Sequence, residues 1–177
     1  LTLEAAVKNR LKAGQIVDLE KLSAIQLESE KSTALDKALT HISAVQKTEK
    51  QVKEYLEGKG YLPAVVEYVL GKMREYDFLD DGSYAENYAH AAVKRKGVRL
   101  IRLELKSKGV AEEHISAATE GLEGEEETAG RLLEKYMRGK PCDRATLYKA
   151  FRYLLGKGFE YETARAALSA FGDTEEE

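Results

Sequence analysis

Basic side chains crowd into one short stretch near the middle of the 177-residue chain. Between Lys94 and Lys108 there is a single acid, Glu104, and the cations are Lys94, Arg95, Lys96, Arg99, Arg102, Lys106 and Lys108. Three of these, Arg99, Arg102 and Lys106, have the spacing that places side chains along one face of a helix. Such a row can contact phosphates without reading bases or dock on an acidic protein surface. A solvated helix face with no binding role is the alternative to both.

A second cationic row follows further along the chain. Arg131, Lys135 and Arg138 are again spaced by three and four residues, and we predict that they lie on the first helix of a later bundle. The net charge of the whole chain is -3, so any affinity for DNA must come from these local patches. Tyrosine is frequent, with ten copies, but most of these tyrosines fall at apolar positions and are expected in the core.

Residues that could perform catalysis or hold a metal do not form recognisable groups. No second His or Cys stands at metal-binding distance from any of the histidines, His41, His90 and His114. Cys142 has no nearby histidine to activate it. The acids after Gly121 and Gly124 would repel a phosphate, and Asp80-Asp81 is best explained as a helix cap. The sequence predicts no enzyme activity, metal or cofactor.

Composition favours a small helical protein in a reducing compartment. Charged residues make up 33% of the chain and there are two prolines. The single cysteine cannot form an internal disulfide. No apolar run approaches the roughly 18 residues of a membrane span, so we expect a soluble, cytoplasmic protein. Because the sequence begins at Leu1 rather than at a methionine, we also expect that a preceding segment has been removed.

A tripeptide of Lys, Gly and an apolar residue recurs twice at an interval of 49 residues. The copies begin at Lys59, Lys108 and Lys157, and a leucine precedes each lysine by three positions. Repetition at a fixed period is typical of stacked supersecondary units. Apolar residues recur with helical spacing within every unit, so each unit is predicted to contain three short helices. One unit could hardly bury its own apolar face, so neighbouring units are expected to cover it.

These patterns predict an all-α fold of tandem three-helix repeats stacked into an elongated, curved array. The predicted boundaries are 1–33 for an N-terminal helical extension, 34–79 and 80–124 for the first two repeats, and 125–177 for the third repeat with an acidic tail. In the extension we expect a helix from Leu3 to Lys12 and a second one, capped by Asp18, whose apolar stripe is interrupted at 28–33, where it bends or ends.

Local signals position the helices within the repeats. Thr48 and Gln51 have the spacing of a capping box, and the glycine of each Lys-Gly pair suits a left-handed helix end. Pro63 suits the first turn of a helix. In the first repeat we expect a buried stripe that ends at Val45. In the second we expect a helix that runs to about Lys96 and places Ala91 inward.

The repeated Leu-x-x-Lys-Gly-apolar column, together with the segment Tyr76–Ala85 (Tyr-Asp-Phe-Leu-Asp-Asp-Gly-Ser-Tyr-Ala), resembles the bacterial RecX family of recombination regulators. The likeness runs from about Ala34 to Phe171. Its clearest stretches are 54–61, 78–89 and 101–110, and Lys157-Gly158-Phe159 with the segment through Leu168 resembles the closing motif of the family.

The resemblance implies a monomeric, non-enzymatic regulator of DNA repair, recombination and the SOS response. Proteins of this family bind the RecA recombinase in its DNA filament, lower its ATP hydrolysis and strand exchange, and favour filament shrinkage. Single- or double-stranded DNA is a further expected partner, and no membrane is involved. A free-standing DNA-binding protein and a general protein-docking repeat are the alternatives. Family members are generally basic, whereas this chain is slightly acidic.

Overall fold

The regular secondary structure of the described chain is entirely α-helical. A computed structural model describes residues 3–175, with the side chains of all of them except 4, 5 and 172–175. Within this range there are ten helices. The contacts of the chain divide it into two compact units that meet in sequence between Asp80 and Asp81.

The first unit contains a short helix and one three-helix bundle. Its helices are α1 (Leu3–Lys8), α2 (Leu19–Ser43), α3 (Glu49–Gly58) and α4 (Pro63–Glu75). Helices α2, α3 and α4 contact one another pairwise and enclose a core built on Val52, Leu56, Val66, Val69, Leu70 and Met73. We call this bundle repeat one.

The second unit contains two further bundles of the same kind. Repeat two consists of α5 (Asp81–Ala92), α6 (Val98–Ser107) and α7 (Glu112–Thr119). Repeat three consists of α8 (Glu125–Met137), α9 (Arg144–Gly156) and α10 (Tyr161–Glu175). In each bundle every helix contacts the other two, and each has its own cluster of buried side chains. The predicted all-α fold of tandem three-helix repeats is therefore confirmed.

The helix ends follow the local signals of the sequence. The Thr48 hydroxyl accepts from the Gln51 amide, and the Gln51 side chain accepts from the Thr48 amide, which is a capping box. Pro63 is the first residue of α4. The middle helix of every repeat ends at its Lys-Gly pair, and the glycines Gly60, Gly109 and Gly158 all have φ between 84° and 90°. Only glycine adopts this conformation without strain.

The N-terminal segment differs from the prediction. Helix α1 ends at Lys8 rather than Lys12, and Arg10 takes a positive φ of 52°. Helix α2 continues without a break through 28–33, so the interruption of its apolar stripe does not end it. The Asp18 side chain makes no capping hydrogen bond. The boundary between residues 33 and 34 therefore falls inside one helix and, like the other repeat boundaries, stays a prediction.

Two expected core positions are wrong. Val45 lies beyond the end of α2 and is 62% exposed. Helix α5 ends at Ala92 rather than near Lys96, and Ala91 faces solvent. The inward face of α5 is instead formed by Ala85, Ala89 and Ala92. Because these residues are small, α5 can approach its neighbours closely, and the wider side chains Tyr84 and Tyr88 pack at its margin.

Backbone atoms join repeat two to repeat three. The Gly97 amide, just before α6, donates to the Lys157 carbonyl at 3.0 Å, and the Arg99 amide donates to the Gly158 carbonyl at 3.1 Å. A Cβ atom on Gly97 would lie 2.3 Å from the backbone of Gly158, and one on Gly158 would lie 2.2 Å from Cβ of Leu100. Glycine is therefore required at both positions for the two segments to come this close. We call this contact the glycine junction.

Replacing Gly158 by alanine should test the junction. An alanine at position 158 is strained in the left-handed conformation, which costs about 1–2 kcal/mol. Its Cβ should also force Leu100 away, which costs about 1–3 kcal/mol more. The free energy of unfolding, measured by urea denaturation with circular dichroism, should fall by the sum of both.

Gly60→Ala is the matched control. Gly60 occupies the equivalent position in repeat one with φ of 84°, but nothing lies within 4 Å of the point that a Cβ atom would occupy there. In this variant the free energy of unfolding should fall only by the cost of the left-handed conformation, about 1–2 kcal/mol. Equal losses for the two variants would contradict a steric role for the junction.

Candidate partner-binding surface

The central basic stretch lies on the turn after α5 and on α6, both in repeat two. Lys94 and Arg95 project into solvent from the turn. Lys96 is partly buried and Lys108 follows the last residue of α6. The cations of the stretch differ in what their side chains contact, and this difference decides which of them are available to a partner.

Lys96 is neutralised within repeat two. Its ammonium lies 2.7 Å from the Glu104 carboxylate, and the Tyr88 hydroxyl donates to the same carboxylate at 2.5 Å. Partial burial by itself would raise the pKa of Glu104, but the hydrogen bonds from Lys96 and Tyr88 outweigh it and lower this pKa. Burial and the bond to Glu104 raise the pKa of Tyr88. The carboxylate thus ties α5, its following turn and α6 together.

Arg102 is also occupied inside repeat two. Its guanidinium pairs with the Glu112 carboxylate and donates to the Thr119 hydroxyl at 2.7 Å and to the Ser116 hydroxyl at 3.3 Å. All three partners lie on α7. A planar guanidinium with several fixed donors is suited to such multiple contacts. Arg102 therefore fastens α6 to α7, and its charge is largely met by Glu112.

Two arginines link repeat two to repeat three. The Arg99 guanidinium donates to the Leu155 carbonyl at 2.6 Å, near the end of α9. The Arg131 guanidinium on α8 donates to the Lys94 carbonyl. In the same region the Glu125 carboxylate accepts from the Val98 amide at 2.9 Å. Desolvation raises the pKa of Glu125, against the effect of that hydrogen bond. These contacts surround the glycine junction and reinforce it.

Five of the predicted site residues remain available. Their side chains are exposed and make no hydrogen bond or ion pair with any residue that the structure describes. We call them the unpaired cations, and they are Lys94, Arg95, Lys106, Lys135 and Arg138. Lys94 and Arg95 lie beside Arg131, since the Lys94 carbonyl holds that arginine. The start of the central basic stretch and the second predicted row therefore approach each other at this point, on the second unit.

A recurring lysine–aromatic arrangement escaped the sequence analysis. In each repeat an aromatic ring on the first helix contacts the residue four positions before the lysine of the Lys-Gly pair. His41 stacks on Tyr55 at 3.9 Å and Tyr136 on Tyr153 at 4.6 Å, whereas Tyr88 bonds to Glu104. The lysines then lie over rings, with Lys59 on Tyr55, Lys108 on Tyr88 and Lys157 on Tyr153. The sequence could have indicated this arrangement, because Tyr55, Glu104 and Tyr153 occupy the same position in the three repeats.

Six of the ten tyrosines pack against the core clusters, as expected of most of them, and the other four lie outside. Tyr68, Tyr76, Tyr148 and Tyr161 are between 38% and 61% exposed. Their helices bury smaller aliphatic side chains, and the rings remain at the surface. Surface rings of this kind are common in binding sites, where they offer a large contact area with little loss of conformational entropy.

The described residues hold no grouping suited to metal binding. No cluster of three or more His, Cys, Asp or Glu side chains is placed to hold an ion in this part of the chain. Cys142 is exposed on the segment between α8 and α9. Burial, Lys47 and Lys59 lower the pKa of His41, which favours its neutral form. None of the described helices combines the length and the apolar character that crossing a membrane requires.

Three family models match the chain in succession. The first three-helix domain of RecX matches residues 34–73, the second matches 80–118 and the third matches 124–168. These ranges fall on the three helical repeats in the order in which they occur along the chain.

Curated relatives cover nearly the whole chain. The regulatory protein RecX of Clostridium tetani is 31% identical over 94% of this chain and 80% of its own length. The protein of the same name from a Geobacillus strain is 33% identical over 95% of this chain and 64% of its own length.

Solved structures share the same fold. A crystal structure of regulatory protein RecX aligns with a TM-score of 0.76 and 26% identity, covering 93% of this chain and 84% of that one. RecX from Lactobacillus salivarius aligns with a TM-score of 0.72 at 23% identity over 81% of this chain and 97% of that one. The repeats, their order and these likenesses place the chain in the RecX family of regulatory proteins.

Proposed function

We propose that this protein regulates homologous recombination and DNA repair by binding the RecA recombinase in its DNA filament and inhibiting RecA ATP hydrolysis and strand exchange. The observation that carries the proposal is the match of all three repeats to the successive RecX domains. The protein acts as a monomer in the cytoplasm and needs no cofactor, because inhibition requires binding alone.

The unpaired cations are the part of the surface that we assign to the partner. Their charges face solvent, and no acid among the described side chains neutralises them, so they can pair with phosphates of the filament DNA or with acidic side chains of RecA. Both kinds of partner would be attracted over the range of a Debye length, about 8–10 Å at physiological salt. The attraction is local, since the chain as a whole is slightly acidic.

The bonded cations have a supporting role in this proposal. Arg99, Arg102 and Arg131 hold helices and repeats together through hydrogen bonds to defined acceptors, and Lys96 is paired with Glu104. Reversing their charge would disturb the fold as well as any contact. The predicted row Arg99–Arg102–Lys106 is therefore best tested through Lys106, the member without such a bond.

Direct DNA binding is the second candidate. The observation that favours it is that Lys94 and Arg95 lie beside the α8 row, so that several cations can meet one phosphate backbone. Capture of the protein on immobilised RecA filaments, compared with capture on naked DNA, separates the candidates. Retention by filaments alone supports the first, equal retention by both supports the second, and retention by neither contradicts both.

Reversing three unpaired cations should weaken inhibition of RecA. In the variant with Lys106→Glu, Lys135→Glu and Arg138→Glu, each contact becomes a repulsion, and like-charge contacts at an interface cost several kcal/mol. The concentration that half-inhibits the DNA-dependent ATPase of RecA should rise by about tenfold or more, with helicity unchanged by circular dichroism.

The control carries the same change of net charge on the first unit. Lys8, Lys12 and Lys21 are exposed, and their reversal to Glu should leave inhibition within about twofold of the parent. Equal weakening by both triple variants would show that only total charge matters and would refute the assigned surface.

Affinity for DNA without RecA should depend steeply on salt. If the five unpaired cations each neutralise one phosphate, the slope of log affinity against log salt should be roughly -4.5 for duplex DNA and roughly -3.5 for single strands. Fluorescence anisotropy with labelled oligonucleotides measures both. A slope near zero would exclude phosphate contacts and leave an acidic protein surface as the partner of these side chains.

A further inference from the structure

An open depression on repeat three is bordered by exposed tyrosines. It lies between α9 and α10, has a volume of about 460 Å³, and is lined mainly by Leu147, Tyr148, Phe151, Tyr161, Arg165 and Leu168. Tyr148 is 61% exposed and Tyr161 is 56% exposed. Neither the cationic rows nor the lysine–aromatic arrangement includes these residues.

The tyrosine rings rest on the core of repeat three and face solvent. Leu147, Phe151 and Leu168 are partly buried and pack against the core cluster, so they form a firm floor. Tyr161 meets Phe151 edge to face, with ring centroids 5.2 Å apart and an interplanar angle of 82°. Such a contact fixes the plane of the Tyr161 ring. The surface is thus aromatic, and its Tyr161 ring is held in place before any ligand arrives.

The charge around the depression is positive on the α9 side. Helix α9 contains Arg144, Lys149 and Arg152 and no acid. Arg144 and Arg152 lie one turn before and one turn after Tyr148, on the same side of the helix. Neither of them, nor Arg165 on α10, makes a hydrogen bond or ion pair with any residue in the described part of the chain. The acids nearest in sequence are Asp143, which caps α9 through Thr146, and Glu160 and Glu162 beside Tyr161.

We propose that this depression binds single-stranded nucleic acid, with unpaired bases stacked on Tyr148 and Tyr161 and with Arg144, Arg152 and Arg165 contacting the phosphates. A polyanion that carries planar rings matches both properties of the surface. An acidic peptide would use the arginines but not the rings. Duplex DNA would present phosphates while keeping its bases stacked inside. We name this surface the Tyr–Arg site.

The Tyr–Arg site adds a DNA contact to the proposed function. It rests on that function only for the assumption that the strand belongs to a recombinase filament. A filament regulator that holds an unpaired strand on repeat three would act on the DNA as well as on the recombinase. Binding of the strand itself needs no recombinase. The test therefore uses DNA alone, and its failure would leave inhibition of RecA untouched.

Removing both rings should lower affinity for single strands. Titration of a fluorescent oligothymidylate of about 20 nucleotides measures binding by the parent chain and by Tyr148→Ala with Tyr161→Ala. Stacking on an aromatic side chain supplies enough energy for a loss of about 5- to 150-fold per base. The variant with Tyr148→Phe and Tyr161→Phe keeps the rings and should bind within about twofold of the parent.

The first unit offers a matched control. Tyr68 and Tyr76 are also exposed, have a cation beside the ring in the form of a lysine, and lie outside the depression. Tyr68→Ala with Tyr76→Ala should leave the affinity unchanged. Circular dichroism melting identifies any variant that fails to fold. If the double alanine variant on repeat three is unfolded, Tyr148→Ala alone, at the more exposed ring, serves in its place.

The arginines are tested through the salt dependence. Arg152→Gln with Arg165→Gln should reduce the steepness of log affinity against log salt by roughly 1.4, since each lost phosphate contact on a single strand contributes roughly 0.7. The tyrosine variants should leave this slope unchanged, because stacking releases no counterions. An unaltered slope in the arginine variant would overturn the assignment of these side chains to phosphates.

Three outcomes would overturn the site as a whole. The first is equal affinity of the parent and the folded alanine variant for the oligothymidylate. The second is an equal loss in the Tyr68 and Tyr76 control. The third is binding of polyglutamate with the same dependence on the tyrosines and no binding of the oligonucleotide, which would identify the occupant as an acidic protein segment.

Discussion

The glycine junction is the constraint on which the second unit depends. Two amide-to-carbonyl bonds connect the start of α6 with the turn after α9, and they form only because neither Gly97 nor Gly158 carries a Cβ. The start of a helix leaves amide groups without intrahelical partners, and the turn offers carbonyls that the end of α9 leaves free. Each repeat therefore completes the hydrogen bonding of the other, while each encloses its own cluster of buried apolar side chains.

This arrangement explains why the basic residues of α6 divide into two groups. Arg99 lies in the first turn, which is docked on repeat three, and meets the Leu155 carbonyl there, whereas Arg102 meets α7 of its own repeat. Lys106 lies at the far end and stays unpaired. Cations thus have a structural role in the first half of the helix, and a cation remains available near its end.

The sequence was a good guide wherever local chemistry determines the structure. The capping box at Thr48, the proline that opens α4 and the left-handed glycines after the middle helices all depend on neighbours within a few residues. The apolar spacing likewise predicted the three helices of each repeat. The continuity of α2 through 28–33 was missed, since packing of its flanking turns outweighs a local gap in the apolar stripe.

The candidate site was predicted less well, because pairing between distant side chains leaves no periodic signal. Helical spacing placed Arg99, Arg102 and Lys106 on one face, but it could not show that residues 56 and 17 positions away accept their hydrogen bonds. The apolar positions of most tyrosines likewise did not show which rings stay outside the core, and on α9 and α10 these are Tyr148 and Tyr161.

Tandem repetition lets one scaffold carry several different surfaces. The interior positions must stay alike for the bundles to form, as the leucines Leu56, Leu105 and Leu154 show. The exterior is free of that requirement. Repeat one presents lysine–tyrosine contacts, repeats two and three present unpaired cations, and repeat three adds exposed rings beside arginines. For the function proposed above this variety matters, because protein side chains, phosphates and unpaired bases each find a different kind of surface among the repeats.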